Sequence, residues 1–426
     1  MFPLIIFITG FLLLFLLRLP IALGMLATSF FYLLAKDMDP GMVAEKVLTN
    51  LYSQYILIAV PLFVFTAKVM NTGKVTELVF GFANSLVGRL RGGMGHVNVV
   101  ASIIFSGMTG SAVADASGLG TMEIKAMRDA GYDDGFSCAV TAASATIGPI
   151  FPPSIPMVFY AMLSGASIGD LFLGGMLPGL LIGLALMVYI AWIAKVRAYP
   201  QGRNYTLREF SLMTLRAFPA LLTPVILLGG IYSGVVTPTE AGALAAFYAI
   251  LISILAYRAL SLKSLWDVMV DTVKTTGTLA IIVGASFTFA YIVALEHIAD
   301  HVGAIFLSIT SNPYLLLLLI NIIFIVLGMF LDTTTILLVF IPMVLPLIQQ
   351  LGIDLVHFGV VIVLNMMIGL STPPFGMLLF IVSGISGTPL KTVIKDSLPM
   401  TMVIIVVLLI ITYVPETVLF LPQLLE

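Results

Sequence analysis

Long stretches without a charged residue recur along this chain. Examples of at least 21 residues are 92–114, 135–169, 217–239, 275–295, 302–331, 333–353 and 355–390. Inside a bilayer every backbone polar group must bond within the chain, so only helices and closed barrels can cross it. A run of about 20 apolar residues is typical of a helix that spans the ~30 Å hydrocarbon layer. The sequence therefore predicts an all-α polytopic membrane protein.

Composition excludes several other classes of protein. Only 9% of the 426 residues are charged, against about 25% in soluble domains. A net charge of −2 provides no basic surface for nucleic acid. The single cysteine, Cys138, cannot form a disulfide framework or a cysteine metal site within one chain. Residues 2–17 have no basic segment before them and no small-residue cleavage site after them, so we interpret them as a first span, not a signal peptide.

The chain also contains an internal repeat at an offset of 221 residues. The matching positions are Gly107-Met108 with Gly328-Met329, Gly131 with Gly352, Asp133 with Asp354, Gly148 with Gly369, Pro152-Pro153 with Pro373-Pro374, and Leu177-Pro178 with Leu398-Pro399. Near the start the offset is 218, and there Pro20 and Gly24 match Pro238 and Gly242. We therefore expect a first repeat over residues 1–210 and a second over 211–426.

Charged residues indicate that the two repeats have opposite orientations. Cytoplasmic loops are enriched in Lys and Arg, and residues 195–216 carry five basic residues against one acidic residue. Residues 74–91 carry three basic residues, whereas the matching segment 295–312 carries two acidic residues and no basic one. Corresponding loops thus face opposite sides of the membrane, as an inverted-topology repeat requires.

These constraints give ten spans with both chain ends outside. The spans lie near residues 2–17, 20–35, 54–72, 135–165, 171–195, 216–234, 238–258, 275–295, 355–386 and 397–415. Those at 135–165 and 355–386 contain glycine and proline in mid-run, so we expect them to be broken helices. Residues 74–90 and 296–311 are predicted to be amphipathic helices at the two interfaces.

Two segments are predicted to be re-entrant hairpins. Residues 92–127 have basic groups at both ends and should enter and leave from the cytoplasm. The first arm, 95–106, is short for a span, because 12 residues give roughly 18 Å of helix. The equivalent segment, 313–350, should enter from outside.

Hairpin tips and helix breaks survive in a membrane only where protein, water or an ion completes their hydrogen bonding. The tips lie at 106–111 and 327–335, and the breaks at 148–154 and 369–374. Proline there leaves carbonyls unpaired, and hydroxyls supply more oxygens, which suits a hard cation. Half-helix C-termini attract such cations, whereas half-helix N-termini attract an anionic substrate. We expect a symmetric pair of cation sites, and the scarcity of buried carboxylates favours a metal cation over a proton relay.

Asp332 is the most informative single residue. It follows 30 residues without charge and precedes another 21, although a carboxylate in mid-membrane costs about 2.5–3.5 kcal/mol. At the repeat offset it corresponds to Ser111, so equivalent tips carry different chemistry. We expect Asp332 to belong to a site, with a structural N-cap as the alternative. Asp115 is either part of a site or a cap of the returning arm. Ser111 and Ser154 are either functional or small residues that permit close helix packing.

Four stretches resemble the large membrane subunit of tripartite ATP-independent periplasmic (TRAP) transporters. They read FSGMTGSAVADASGLG, SATIGPIFPPSIPMVFYA, GGIYSGVVTPTEAGALAA and GLSTPPFGMLLF, and the resemblance covers essentially the whole chain. It implies a multi-pass transporter of the bacterial inner membrane that imports an organic acid, such as a C4-dicarboxylate or sialic acid, with a sodium gradient. It also implies a small four-helix membrane subunit and a periplasmic substrate-binding protein as partners. Because this chain begins at the first span, we expect the small subunit to be a separate chain.

The resemblance further implies an elevator mechanism of the ion-transporter-superfamily type. A transport domain of both hairpins and both broken helices would slide against a scaffold of the remaining spans. Two or more sodium ions would bind at Ser106, Gly107, Ser111, Gly148 and Pro149 in one half, and at Gly328, Asp332, Gly369 and Thr372 in the other. Substrate would bind near Ser111, Ser154 and Asp332.

Two alternatives stay open at this point. One is a sodium-coupled dicarboxylate carrier of the same architecture that works without partners. The other is an intramembrane hydrolase built on Ser106 or Ser167 with His96. The hydrolase does not explain the inverted repeat.

Overall fold

The computed structural model describes residues 2–17, 19–71 and 73–425. The helices of the first half are α1 Phe2–Leu16, α2 Ile21–Ala35, α3 Met42–Ser53, α4 Ala59–Met70, α5 Gly73–Val87, α6 Gly93–Thr109, α7 Ala112–Gly118, α8 Gly120–Asp129, α9 Asp134–Ala145, α10 Ile155–Ser164 and α11 Ile168–Val196. Those of the second half are α12 Leu207–Tyr232, α13 Pro238–Leu251, α14 Leu262–Leu295, α15 Ile298–Ile309, α16 Pro313–Phe330, α17 Thr333–Gln350, α18 Leu355–Leu370, α19 Met377–Ser386, α20 Leu390–Tyr413 and α21 Glu416–Leu425. A 3₁₀ helix at Tyr55–Ile58 precedes α4, and a π-helical turn at Ile252–Ala256 ends α13.

Within the described residues, seven helices are long and apolar enough to cross a membrane. They are α11, α12, α13 with its π-helical turn, α14, α16, α17 and α20, and the bent pair Met42–Ser53 and Tyr55–Met70 adds an eighth if it forms one span. Five of the predicted spans correspond to helices of this set: 171–195, 216–234, 238–258, 275–295 and 397–415. The prediction of an all-α polytopic protein is confirmed.

Several predicted bounds were wrong for a common reason. Helix α3 was not predicted at all, and it meets the following helix at a 72° bend around Gln54. Helix α14 begins at Leu262, not near 275. Both missed segments are amphipathic, with charged residues such as Glu45 and Asp271 exposed, so neither extends an apolar run. Helices α1 and α2 have 15 residues each, shorter than a standard span.

The helices of the two halves follow the same order. The pair α6 and α7–α8 corresponds to α16 and α17, the pair α9 and α10 to α18 and α19, and α11 to α20. Both helix breaks contain a cis proline pair, Pro152-Pro153 and Pro373-Pro374. The predicted broken helices and interfacial helices are thus present as helices. The opposite orientation of the halves stays a prediction from the loop charges.

Both predicted hairpins turn where expected, but their arms are longer than predicted. Helix α6 has 17 residues instead of the 12 expected, or roughly 26 Å. Helices α16 and α17 have 18 residues each, or roughly 27 Å, which is close to the thickness of the hydrocarbon layer. Length alone therefore does not distinguish a re-entrant hairpin from two spans, and re-entry stays a prediction from the basic residues that flank 92–127.

The two halves pack against each other crosswise. Helix α9 of the first half lies against α20 of the second, and α11 lies against α18. In the same way α10 packs on α17 and α19 packs on α7. A single cluster of buried apolar residues runs through these helices and includes Phe136, Tyr160 and Phe358. This arrangement brings the second part of each broken helix against the hairpin of the other half, so both tips and both breaks meet near the middle of the protein.

Candidate functional site

The tip of the first hairpin lies directly on the first helix break. Gly110 has a φ of +61°, a conformation that glycine adopts without steric cost, and a methyl group there would collide with the Pro153 carbonyl oxygen. The Gly110 carbonyl accepts a hydrogen bond of 3.4 Å from the Ile155 N–H. The next residue, Ser111, caps α7, and its Oγ accepts from the Ala114 N–H at 3.4 Å. Backbone from two segments therefore meets here without a side chain between them.

Ser154 holds the other side of this junction. It is fully buried and caps α10. Its Oγ accepts from the Met157 N–H at 3.2 Å and donates to the Pro149 carbonyl. The break thus keeps a fixed shape through a hydroxyl that bonds on both sides.

The tip of the second hairpin is capped by a carboxylate. Asp332 precedes α17, and its Oδ2 accepts from the Thr335 N–H at 3.0 Å. Its Oδ1 accepts from the Thr335 Oγ1 at 2.5 Å. Asp332 is half-buried, so the residue that completes the helix cap is also partly accessible.

Glycine also allows the second hairpin to touch the second broken helix. A methyl group on Gly369 would lie 2.5 Å from the Gly328 Cα and 3.0 Å from the Ile325 carbonyl oxygen. One on Gly328 would lie 3.0 Å from the Gly369 Cα. Since all these atoms belong to the backbone, α16 and α18 can approach this closely only with glycine at both positions.

A cavity of about 320 Å³ lies where these elements meet. Its lining comes from both tips, including Ser111 and Asp332, and from both broken helices, including Pro149 and Met367. The opposite wall is formed by Val64, Ala67 and Lys68 of α4 and by Thr275 and Leu279 of α14. The cavity thus lies between the predicted transport domain and the predicted scaffold.

The N-termini of three helices line this cavity and favour an anion in it. Ile155 and Pro156 begin α10, Thr333 and Thr334 begin α17, and Met377 begins α19, and all five line the cavity. Each helix N-terminus carries roughly half a positive charge. A cavity lined by three of them favours a negatively charged ligand.

The structure brings the predicted site residues together, though not all at the cavity surface. Ser111, Pro149 and Asp332 line it, whereas Ser154 is buried behind it. The remaining predicted sodium ligands belong to the same tips and breaks without lining the cavity: Ser106, Gly107, Gly148, Gly328, Gly369 and Thr372. Their roles as ligands stay predictions.

Two of these residues are arranged so that they can accept a cation. Ser106 Oγ donates to the Ile103 carbonyl at 2.6 Å, and Thr372 Oγ1 donates to the Ile368 carbonyl at 2.5 Å. A hydroxyl that donates its proton within the helix keeps lone pairs available on its oxygen. A methyl group on Gly148 would lie 3.4 Å from the Ser111 carbonyl carbon, so the first tip and the first break are adjacent at the predicted site.

Sequence reasoning missed several polar residues at the site. Thr109 and Thr333 line the cavity, and their buried hydroxyls have no partner among the described residues. Lys68 lines it from α4. Threonines in apolar helices are common, so the sequence carried no signal for Thr109 and Thr333.

Buried amides tie each hairpin to the broken helix of its own half. Asn98 of α6 donates to Thr141 Oγ1 at 2.7 Å and accepts from Ser144 Oγ at 2.6 Å. In the second half Asn365 of α18 donates to the Asn321 side-chain oxygen of α16 at 2.8 Å. Side-chain hydrogen bonds between helices hold them in one register where no water competes. Each hairpin and its broken helix therefore form one packed unit.

The comparisons with known proteins agree with this arrangement. The sequence model of the family described as "Tripartite ATP-independent periplasmic transporter, DctM component" matches residues 8–417. The Vibrio cholerae sialic acid TRAP transporter large permease protein SiaM is 44% identical over 394 residues, which cover 92% of each chain. The Pseudomonas aeruginosa C4-dicarboxylate TRAP transporter large permease protein DctM is 38% identical, over 87% of this chain and 86% of that protein.

A longer relative and a solved structure extend the picture. The Haemophilus influenzae sialic acid TRAP transporter permease protein SiaT is 42% identical over 94% of this chain, which spans 65% of SiaT. The crystal structure of the Alcanivorax borkumensis YdaH transporter superposes with a TM-score of 0.60 over 86% of each chain. At 13% identity this likeness shows a shared fold and nothing finer.

The family also decides between transport and catalysis. The hydrolase alternative is wrong, because the family and the relatives are transporter permeases. The geometry agrees for the first of the two serines, since His96 Nε2 lies 3.2 Å from the Arg91 carbonyl and Ser106 donates to the Ile103 carbonyl, not to His96. The chain is a multi-pass protein of the bacterial inner membrane and belongs to the TRAP transporter family, as its DctM-type large membrane subunit.

Proposed function

We propose that this subunit carries an organic acid across the inner membrane together with sodium ions, after a periplasmic binding protein delivers the acid. The family supports a tripartite system with a small membrane subunit. The observation that carries the proposal is the cavity between the two tips, which joins helix N-termini, hydroxyls and one carboxylate. Such a cavity can hold an anion and cations side by side.

The substrate is proposed to be a small carboxylate. The names of relatives above 35% identity mention sialic acid, C4-dicarboxylates and isethionate, all of them anions. The relatives named for sialic acid share 44% and 42% identity with this chain, which makes sialic acid the first compound to test.

Sodium is proposed to bind at the two tip-and-break junctions. Ser106, Ser111 and Gly148 would serve the first junction, and Asp332, Gly369 and Thr372 the second. Carbonyl and hydroxyl oxygens are the ligands that hard cations prefer. Each ion that moves down a 100 mV potential supplies about 2.3 kcal/mol, so two ions could concentrate an anion inside the cell.

The mechanism is proposed to be an elevator. The side-chain hydrogen bonds of Asn98 and Asn365 support a rigid transport domain, because they join each hairpin to the broken helix of its own half. The cavity has one wall from that domain and one from α4 and α14. Sliding of the first wall past the second would expose the cavity to the other side.

A crosslink between the two groups tests this motion. Asn71, which follows α4, touches Gly118 at the end of α7, so Asn71→Cys and Gly118→Cys should join with a short thiol crosslinker. The native Cys138 is buried and can be changed to serine in the background. We expect crosslinking to stop uptake and reduction to restore it. Full uptake by crosslinked protein would contradict the elevator.

Reconstitution tests the function itself. This chain and its small subunit would be placed in liposomes, and a binding protein loaded with radiolabelled sialic acid added outside. We expect uptake only with an inward sodium gradient and all three components. A potassium gradient of equal size is the control. Sodium-independent uptake would refute the cation sites, and uptake without the binding protein would favour the carrier that works alone.

A further inference from the structure

One basic side chain lines the cavity within the described part of the chain, and its surroundings give it a specific role. Lys68 lies near the end of α4, opposite the tips that carry Ser111 and Asp332. Its Nζ donates to Asp271 Oδ2 at 2.7 Å, to the Asp271 carbonyl at 2.9 Å and to Thr275 Oγ1 at 2.8 Å. An ammonium has three donors, so all three are engaged at the wall of the cavity.

Lys68 also borders a second, more polar space. A neighbouring cavity of about 590 Å³ is lined by Lys68, Asn71, Asp267, Asp271 and Lys274, among others. Thr275 lines the first cavity and Asp271 the second, and the ammonium bonds to both residues. Lys68 thus lies at the boundary between the two spaces. The loop charges predict that this end of α4 faces the cytoplasm.

The ion pair at this boundary can exchange partners at low cost. The Lys68 side chain is 25% exposed, but that of Asp271 is 66% exposed. An ion pair with such an exposed partner contributes only about 0–1 kcal/mol. A substrate carboxylate in the cavity can therefore replace the Asp271 carboxylate, while the Thr275 hydroxyl keeps the ammonium in place.

We propose that Lys68 is a carboxylate subsite of the transported acid, which the scaffold provides and which Asp271 occupies when no acid is bound. The inference rests on the proposed function and adds a binding residue on the scaffold side. The acid would bridge the tips and the scaffold cation, and then pass Lys68 toward the polar cavity. Asp271 would close that boundary again after release.

Thermal stabilisation of the purified two-subunit complex by sialic acid in sodium buffer tests the proposal. A ligand that binds only the folded state stabilises it by RT ln(1 + [L]/Kd), so a fit of the rise in Tm against ligand concentration gives Kd, the half-saturating concentration. We expect Lys68→Gln to raise the half-saturating concentration about tenfold, since a charge-assisted hydrogen bond is lost. Lys68→Arg should keep most of the affinity. Asp271→Asn should lower the half-saturating concentration, because the competing carboxylate is gone.

Two controls separate charge recognition from structural damage. Lys274→Gln removes a lysine that lines only the neighbouring cavity, and it should change nothing. Sialic acid methyl ester lacks the negative charge, so its half-saturating concentration should be the same for wild type and Lys68→Gln. If Lys68→Gln does not fold, the Lys68→Arg and Asp271→Asn variants still carry the test.

The outcomes distinguish the two levels of the proposal. Equal half-saturating concentrations for wild type, Lys68→Gln and Asp271→Asn would overturn the role of Lys68 alone. An equal loss of affinity for the acid and its ester would also overturn it, since the charge would then not matter. No stabilisation of the wild-type complex by either sialic acid or succinate would overturn the proposed function together with this subsite.

Discussion

Asp332→Asn is expected to lower sodium-driven uptake about 10- to 100-fold, because loss of a charged hydrogen-bond partner costs roughly 1.5–3 kcal/mol. The fold should survive. Asparagine caps helices about as well as aspartate, and its side-chain oxygen can still accept from the Thr335 N–H. The measurements are the initial rate of uptake in liposomes and the Tm of the purified complex. A lower rate with an unchanged Tm would assign the carboxylate to the transport site.

The chain offers a matched control for this substitution. Asp354 caps α18 in the same way, since its Oδ1 accepts from the His357 N–H at 2.9 Å, but it does not line the cavity. Asp354→Asn should therefore leave uptake unchanged. If both variants transport like wild type with the same sodium dependence, Asp332 serves only as a helix cap.

Gly369→Ala is expected to disturb both the fold and transport. The new methyl group would lie 2.5 Å from the Gly328 Cα. Because the atoms it meets belong to the backbone, no side chain can move aside to make room. Overpacking of this kind costs about 1–3 kcal/mol, and it would push α16 away from α18 at the second tip. We expect a clear drop in Tm and at least about a tenfold loss of initial uptake rate, since 1.4 kcal/mol corresponds to tenfold.

Gly384→Ala is the control for this change. Gly384 lies in α19, in the second part of the same broken helix, and a methyl group there meets nothing within 4 Å. Its uptake and Tm should match those of wild type, or Tm should rise slightly, because alanine favours a helix over glycine. Equal behaviour of Gly369→Ala and Gly384→Ala would show that the close contact of the two helices is not needed.

The sequence alone predicted most of what a membrane imposes. Charge-free runs predicted helices, and the 221-residue offset predicted two matching halves. Proline pairs predicted breaks at 148–154 and 369–374, which lie at 146–154 and 371–376 in the structure. These inferences succeed because a bilayer permits few backbone structures and because proline and glycine interrupt helices by local sterics. Amphipathic helices were harder to predict. Helix α3 and the start of α14 were missed because the charged residues on their polar faces interrupt the apolar runs that indicate a span.

The tertiary structure decided which residues meet. Asp332 and Ser111 are visible in the sequence as tip residues, but their approach to Lys68 across one cavity depends on how α4 and α14 pack against the hairpins. Sequence shows no partner for Lys68, because its three acceptors lie more than 200 positions away in α14. The sequence by itself determined the helices, the repeat and the polar breaks, which are local or periodic properties. Only packing between distant helices decided the shape of the cavity and the charge on its far wall.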